Sequence, residues 1–359
     1  MNLTTRKRAL AGIVLAGASA VVLAGCGAAP EANPSNSASS FLACAVSDEG
    51  SFKDHSFNEA AYGGLTKAHD ELGVEVKGAE SHSTEDFNPN LQAMVDANCN
   101  VIFGVGFNLI DPINAAALAN PTFNFVTIDG YVTGDAKNLK PIQYSMEQSS
   151  YLAGYLSAGY STTKVLGTYG GLDIPAVTAF MQGYYQGAQA WATDHGKPVT
   201  VLGMDASGKA TSFTDPVSNF GDTEGAKAIS AGFLAAGADV IFPVAGGLFA
   251  STAEAITESG STTAVFLGVD KDIAVTSPQY KDMVLTSVEK RMTQAVFDVI
   301  KQSSTTGFDV SAYQGTLEND GTGLSDFGAF DSKISADLKA KITSLEADII
   351  SGKIKVTVG

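Results

Sequence analysis

Segments typical of strands and of helices alternate along this chain from residue 41 to about residue 275. Each strand candidate is a short, mostly apolar run that ends in small or polar residues, and a longer stretch with helical apolar spacing follows it. Because strict β-α alternation places successive strands side by side through right-handed crossovers, it predicts parallel sheets flanked by helices. The 359 residues are enough for two such domains.

The alternation falls into two blocks that repeat the same order of elements. The predicted strands cover residues 41–46, 73–77, 101–105, 123–128 and 142–144 in the first block, and 164–169, 199–204, 239–244 and 264–269 in the second. A strand-like run at 283–290, a helix at 292–300 and a final helix at about 335–351 follow. This order predicts two similar lobes joined by several crossings. We expect 41–146 and about 275–305 to form the N-terminal lobe, and about 147–274 and 306–359 to form the C-terminal lobe.

The N-terminus has the pattern of an export signal. Arg6, Lys7 and Arg8 precede the apolar residues 9–24, and the sequence LAGC ends at Cys26. This ending resembles a bacterial lipobox, so we predict a signal peptide over 1–25, a lipid on Cys26 and a flexible tether over 26–40. The lipid would hold the protein at the outer face of the cytoplasmic membrane. In the alternative interpretation the segment is a plain secretory signal and Cys26 is incidental.

Two further cysteines lie in the predicted first lobe. Cys44 is on the first strand, and Cys99 directly precedes the apolar run 101–105. Export would permit a disulfide between them, and two buried free thiols are the alternative. The spacing of the cysteines suggests no zinc site.

Charge and motifs narrow the class of function. The net charge of −16 and the absence of a basic patch argue against a nucleic-acid partner. The sequence shows no Walker A loop, G-x-G-x-x-G motif or nucleophile elbow, and its four histidines are scattered. We therefore expect a monomeric binding module, with no catalytic residues, no metal and no cofactor.

Polar and small residues cluster where predicted strands end. Asp48, Asp129 and Asp270 each follow a strand candidate, and Gly246 lies in the turn after another. Because the carboxyl ends of parallel strands are where open α/β sheets bind ligands, these residues are candidates for ligand contacts, with ordinary turn residues as the alternative.

The loop that ends the first strand carries further candidates. Phe57 and Asn58 stand where the next helix begins, and Ser56 and Glu59 have the spacing of a capping box. Phe57 either faces a flat polar ligand or packs under the helix.

The same loop resembles a known family. Residues 47–58 (SDEGSFKDHSFN), followed by GGL at 63–65, are similar to the opening motif of the basic membrane protein family of ABC-transporter substrate-binding lipoproteins, which includes purine nucleoside receptors. Further similar segments follow in the family's order: GGLDIP at 170–175, GYYQG at 183–187, GADVI at 237–241, AGG at 245–247, LGVDKD at 267–272, LTSVEKR at 285–291 and IISGKIKV at 349–356. One departure is Ile273, where the family usually has Gln.

The resemblance implies a type I periplasmic-binding-protein fold, in which a multi-strand hinge joins two lobes around a nucleoside. It implies that Phe57 stacks on the base, that Asn58 and Asp129 bind the edge of the base, and that Asp270 and Lys290 bind the ribose. Asp48 would line the same wall. Gly246 would lie at the AGG turn, and either Phe249 or Leu248 would supply the aromatic or apolar contact beside it. The implied partners are an ABC permease and its ATPase.

Three alternatives remain at this point. The same fold could bind a sugar or another small metabolite, since a single aromatic candidate does not exclude a sugar site. A nucleoside-processing enzyme is a second alternative. A transcription regulator of related fold is a third, which the lipobox and the lack of a helix-turn-helix pattern disfavour.

Overall fold

The computed structural model describes residues 41–216 and 219–359. The predicted signal peptide, Cys26 and the tether over 26–40 therefore lie outside the described residues. Within the described ranges, no helix combines the length and the apolar character that crossing a membrane requires.

The first lobe is built on a six-stranded sheet in which every neighbouring pair is parallel. Its strands are β1 (Leu42–Ser47), β2 (Glu75–Ala79), β3 (Val101–Val105), β4 (Phe125–Ile128), β5 (Leu139–Tyr144) and β11 (Tyr313–Gly315), in the order β11-β5-β4-β3-β1-β2. Its helices are α1 (Phe57–Leu72), α2 (Phe87–Asp96), α3 (Ile110–Ala119) and α9 (Met292–Thr305).

The second lobe has a sheet of the same size. Its strands are β6 (Val165–Gly170), β7 (Thr200–Leu202), β8 (Val240–Val244), β9 (Val265–Asp270), β10 (Val284–Lys290) and β12 (Thr322–Leu324), in the order β12-β10-β9-β8-β6-β7, with β12 antiparallel to β10. Its helices are α4 (Met146–Tyr160), α5 (Pro175–His195), α6 (Thr223–Ala235), α7 (Phe249–Glu258), α8 (Ile273–Thr276) and α10 (Ala336–Ile350). Two parallel-dominated sheets flanked by helices confirm the predicted fold class.

Helices cover both faces of the first sheet, which explains the unbroken apolar sequence of its central strand. Along β3, Val101, Phe103 and Val105 pack into one cluster with α1 and α9, whereas Ile102 packs on the other face with α2 and α3. This two-residue alternation is what a strand imposes, and burial on both faces removes the usual polar alternation.

The predicted lobe boundaries need correction at two strands. β10 pairs with β9 in the second sheet, although 275–305 was expected in the first lobe. β11 pairs with β5 in the first sheet, although 306–359 was expected in the second lobe. Which sheet a short strand joins depends on its pairing partner, and the sequence of a short apolar run does not indicate that partner. Within the described ranges the chain crosses between lobes three times: after β5, after β10 and between β11 and β12.

The structure joins Cys44 and Cys99 in a disulfide, with their Cα atoms 6.0 Å apart. Cys44 lies on β1 and Cys99 just before β3, and these strands are neighbours in the sheet. The bridge therefore ties together two segments that are 55 residues apart in the chain.

Glycines allow α4 and α5 to pack backbone against backbone. A Cβ on Gly154 of α4 would overlap the carbonyl oxygen of Tyr184 of α5, and a Cβ on Gly187 would overlap the carbonyl oxygen of Tyr151. Neither carbonyl belongs to a flexible side chain, so the helices would have to separate. Contacts this close fix the position of α5, whose first two turns border the cavity between the lobes through Ala176 and Phe180.

We expect Gly154→Ala to lower the free energy of unfolding by about 1–3 kcal/mol, because overpacking forces the helices apart. Gly232→Ala is the matched control, because Gly232 lies within α6 with nothing near its missing Cβ. That change should stabilise the protein by roughly 0.5–1 kcal/mol through helix propensity. Urea unfolding measures both, and equal stability of the two variants would refute the close-packing argument.

Candidate functional site

A cavity of about 670 Å³ lies between the two lobes. It opens where the carboxyl ends of the strands of both sheets meet, which is where α/β folds bind ligands. Its volume is in the range of small-molecule sites. Its lining includes Asp48, Asp54, Phe57, Asn58, Asp129, Phe180, Phe220, Gly246, Gly247, Asp270 and Lys290.

Asp54 sets the start of α1, on the first-lobe side of the cavity. Its carboxylate accepts hydrogen bonds from the backbone N–H of Ser56 (2.8 Å), Asn58 (2.9 Å) and Glu59 (3.1 Å). These are N–H groups that a helix end leaves without an internal partner, and a carboxylate there is favoured by the helix dipole. Asp54 thereby holds the first turn of α1 with Phe57 and Asn58 on the cavity wall.

The predicted capping box of Ser56 and Glu59 is wrong. The Ser56 side chain accepts no capping hydrogen bond, and its Oγ instead donates to Asp270 Oδ2 in the second lobe at 2.7 Å. Asp54 performs the capping, so Ser56 is available for a contact between lobes.

Asp48 and Asn58 form a buried polar pair on one wall. Asn58 Nδ2 donates to Asp48 Oδ1 at 2.8 Å and to Asp54, and the Gly50 N–H donates to Asp48 at 2.9 Å. Burial raises the pKa of Asp48 from 3.8 to about 7, although these two donors to Asp48 oppose the shift. Asn58 Oδ1 is buried and has no hydrogen-bond partner among the described residues. This wall therefore presents one amide acceptor and one carboxyl group that titrates near neutral pH.

Lys290 and Asp129 form an ion pair across the two lobes. Lys290 ends β10 of the second sheet, Asp129 follows β4 of the first, and their side chains are 3% and 8% exposed. The Lys290 ammonium also lies 5.1 Å from the ring centre of Phe57 and 5.2 Å from that of Phe180. A third ring, that of Tyr144, has its centre 5.8 Å from the same ammonium. Lys290 is thus held between a carboxylate and three aromatic rings.

Asp270 completes this group at the end of β9. Burial raises its pKa to about 6, and the nearby Lys290 limits the rise. Asp129 and Asp270 both have left-handed backbone angles, with φ of 57° and 67°. Asp is among the few residues with a side chain that adopt this conformation readily.

Seven of the eight predicted ligand-binding residues line the cavity: Asp48, Phe57, Asn58, Asp129, Gly246, Asp270 and Lys290. Phe249 does not, and neither does Leu248. Phe249 is 3% exposed and packs against Phe266 and Tyr280 inside the second lobe. Phe249 is the first residue of α7, and its ring is buried in the hydrophobic core of the second lobe.

Sequence reasoning missed two aromatic residues of the second-lobe wall. Phe180 lies in the second turn of α5 and Phe220 in a short 3-10 turn at 219–221. The GGLDIP motif before α5 was a usable signal for Phe180, because a helix following a strand end brings its first turns to the site. Phe220 belongs to the irregular segment 205–222, which has no period that predicts a position.

Small residues let the lobes approach each other at the cavity rim. A Cβ on Gly247 would lie 2.9 Å from the carbonyl oxygen of Asp54 in the opposite lobe.

In the described ranges, no group of three or more His, Cys, Asp and Glu residues is placed to hold a metal ion.

Comparison with solved structures identifies the fold. The chain superposes on an ABC transporter solute-binding protein of Aeropyrum pernix K1 with a TM-score of 0.75 and 23% identity, covering 88% of this chain and 92% of that one. The fold is therefore that of the periplasmic solute-binding proteins.

Sequence comparison gives the family. The model of the PnrA-like ABC transporter substrate-binding proteins matches residues 41–358, and the chain belongs to this family. It is 29% identical to the ABC transporter nucleoside-binding protein BmpA of Lactococcus lactis, over 98% of this chain and 99% of that protein. It is also 29% identical to basic membrane protein A of Borreliella burgdorferi, over 86% of this chain and 85% of that protein. The resemblance seen in the sequence motifs is confirmed.

Asp48→Asn tests the burial of the Asp48 carboxyl group. Between about pH 3.8 and about 7 the folded protein keeps a proton on Asp48 that the unfolded chain has released, so stability falls as pH rises through this window. The amide oxygen can still accept from Asn58 and Gly50, but the amide does not ionise. We expect the variant to gain stability over the wild type as pH rises, by at most about 4 kcal/mol above pH 7.

Urea unfolding of the unliganded protein at about pH 4 and about pH 8 measures this difference. A stability difference that is the same at both pH values would contradict the raised pKa.

Proposed function

We propose that this protein is the receptor of an ABC importer for nucleosides, with a purine nucleoside as its ligand. The observation that carries the proposal is the cavity wall in which the Phe57 ring lies beside Asp129, Asp270 and Lys290. An aromatic face next to hydrogen-bonding charges suits a ligand with a flat base and a hydroxyl-bearing sugar. The similarity to a nucleoside-binding protein supports this assignment.

Each residue then has a separate role. Phe57 stacks on the base, which contributes about 1–3 kcal/mol by analogy with other base–aromatic contacts. A purine offers the larger flat face for this contact. Asn58 Oδ1 accepts from a ring or amino N–H, and Asp129 binds the same edge. Asp270 and Lys290 bind the ribose hydroxyls, and Asp48 lines the wall beside the base.

The charges of the cavity favour a nucleoside over a nucleotide. Lys290 is the only Lys or Arg among the lining residues of the described chain, and it is already paired with Asp129. The carboxylates of the lining are Asp48, Glu49, Asp54, Glu85, Asp129 and Asp270. A phosphate would meet repulsion here and would find no arginine to bind it.

Binding couples to closure of the lobes. The Asp129–Lys290 ion pair joins the two lobes at the cavity, and the hydrogen bond from Ser56 to Asp270 joins them beside it. A ligand that contacts both walls only when they meet shifts the population toward the closed form. A permease and its ATPase then recognise the closed form, while a lipid on Cys26 keeps the receptor at the outer face of the membrane. No covalent step is part of this function.

Calorimetric titration with inosine, guanosine and adenosine, and with pentoses, hexoses and nucleoside monophosphates, tests the ligand class. We expect heat from the nucleosides alone. Heat from sugars without heat from nucleosides would contradict the proposal and support a sugar receptor. Release of free base during incubation would support a nucleoside-processing enzyme.

Phe57→Ala should weaken all nucleosides that bind, by roughly 5- to 150-fold, because the stacking face is common to every base. Tyr131→Ala is the control, because this half-exposed ring lies outside the cavity lining. We expect the control to leave affinity unchanged. Unchanged affinity in Phe57→Ala would show that the base does not stack there.

Asp270→Ala should reduce the discrimination between a ribose and a sugar that lacks the 2′- and 3′-hydroxyls. The wild type should bind inosine roughly 10- to 150-fold more tightly than 2′,3′-dideoxyinosine, since hydrogen bonds to charged groups contribute about 1.5–3 kcal/mol each. The variant should show a clearly smaller ratio than the wild type, because only Lys290 is left to bind the ribose hydroxyls. If the variant keeps the wild-type ratio, Asp270 does not contact the ribose.

A further inference from the structure

A second charged contact joins the lobes outside the cavity. Lys271 directly follows β9 in the second lobe, and its ammonium pairs with the carboxylate of Glu59 in the first turn of α1 in the first lobe. The two side chains are 22% and 29% exposed, so the pair is partly shielded from water. Neither residue is part of the cavity lining.

Local contacts hold both partners in position. Glu59 Oε2 accepts from the His55 N–H at 3.2 Å and lies 3.3 Å from His55 Nδ1, which leaves Oε1 for Lys271. The Lys271 backbone N–H donates to the Val269 carbonyl at 2.8 Å, which fixes the turn after β9. Because the groups are held before they meet, their pairing costs less side-chain entropy than a free surface ion pair.

The position of this pair separates it from the other contacts between lobes. Asp129, Asp270 and Lys290 line the cavity, where a ligand competes for the same atoms, and Asp270 is also the acceptor of the Ser56 hydrogen bond. The Glu59–Lys271 pair, in contrast, forms only when the lobes are together and shares no atom with the cavity lining. A contact of this kind changes the open–closed equilibrium without touching the ligand.

We propose that Glu59 and Lys271 form a latch that sets how much of the unliganded protein is closed and thereby tunes ligand affinity from outside the site. This inference rests on the lobe closure proposed above. Breaking the latch lowers the closed population, so apparent affinity falls and dissociation becomes faster. The partly exposed pair is also screened by salt, so the effect shrinks at high ionic strength.

The test is a double-mutant cycle with Glu59→Gln, Lys271→Gln and the double variant. Small-angle X-ray scattering of the unliganded proteins should show a larger radius of gyration in each single variant than in the wild type, with no further increase in the double variant. Lys227→Gln is the matched control, because Lys227 pairs with Glu254 and Glu258 inside the second lobe. It should leave the radius of gyration at the wild-type value.

Inosine affinity supplies the second readout. Each single variant should bind inosine roughly two- to fivefold more weakly, the double variant no more weakly than the singles, and the difference should disappear in high salt. Additive losses in the double variant would overturn the latch.

Scattering without ligand keeps this test separate from the nucleoside proposal. If the wild type binds inosine but Glu59→Gln leaves the unliganded radius of gyration unchanged, the latch is refuted and the function stands. If the radius increases in the variants but no nucleoside binds, the latch stands and the ligand assignment is refuted. A wild type already as open as Glu59→Gln would also refute the latch.

Discussion

The ion pair between Lys290 and Asp129 is the interaction on which the rest of the site depends. Removing an ammonium from water costs several kcal/mol unless charge and hydrogen-bonding partners replace the lost hydration. Lys290 is almost fully buried, and Asp129 supplies the carboxylate from the opposite lobe. The rings of Phe57 and Phe180 face the same ammonium. The two lobes are thus linked at the point where a ligand would touch both. The positive charge of Lys290 also limits how far burial raises the pKa of the neighbouring Asp270.

The backbone at the strand ends explains why carboxylates stand there. Asp129 and Asp270 leave their strands through left-handed conformations, which place two short polar side chains at facing edges of the two sheets. Asp54 acts at a different level, because it binds the first N–H groups of α1 and so orients Phe57 and Asn58. Among the carboxylates that line the cavity, Asp54 is therefore the one that also caps α1.

The parts of this structure that depend on local pattern were predictable from the sequence. The strand ends carrying Asp48, Asp129 and Asp270 follow from apolar runs and their termination, and the family motifs indicate Lys290. The parts that depend on tertiary packing were not. Phe249 has the same local setting as a site aromatic but fits the core, the sheet of β10 depends on pairing, and Phe220 lies in a segment without a period. The capping role of Asp54 was missed because Ser56 has the commoner spacing, and its hydroxyl is used between the lobes instead.

The central claim is that one nucleoside lies between the lobes, with its base on Phe57 and its ribose at Asp270 and Lys290. A crystal structure of the protein grown with inosine tests it most directly. The account predicts closed lobes, the purine ring parallel to the Phe57 ring, and the ribose hydroxyls within hydrogen-bond distance of Asp270. A nucleoside bound away from this cavity, or a Phe57 ring turned from the ligand toward the core, would contradict it.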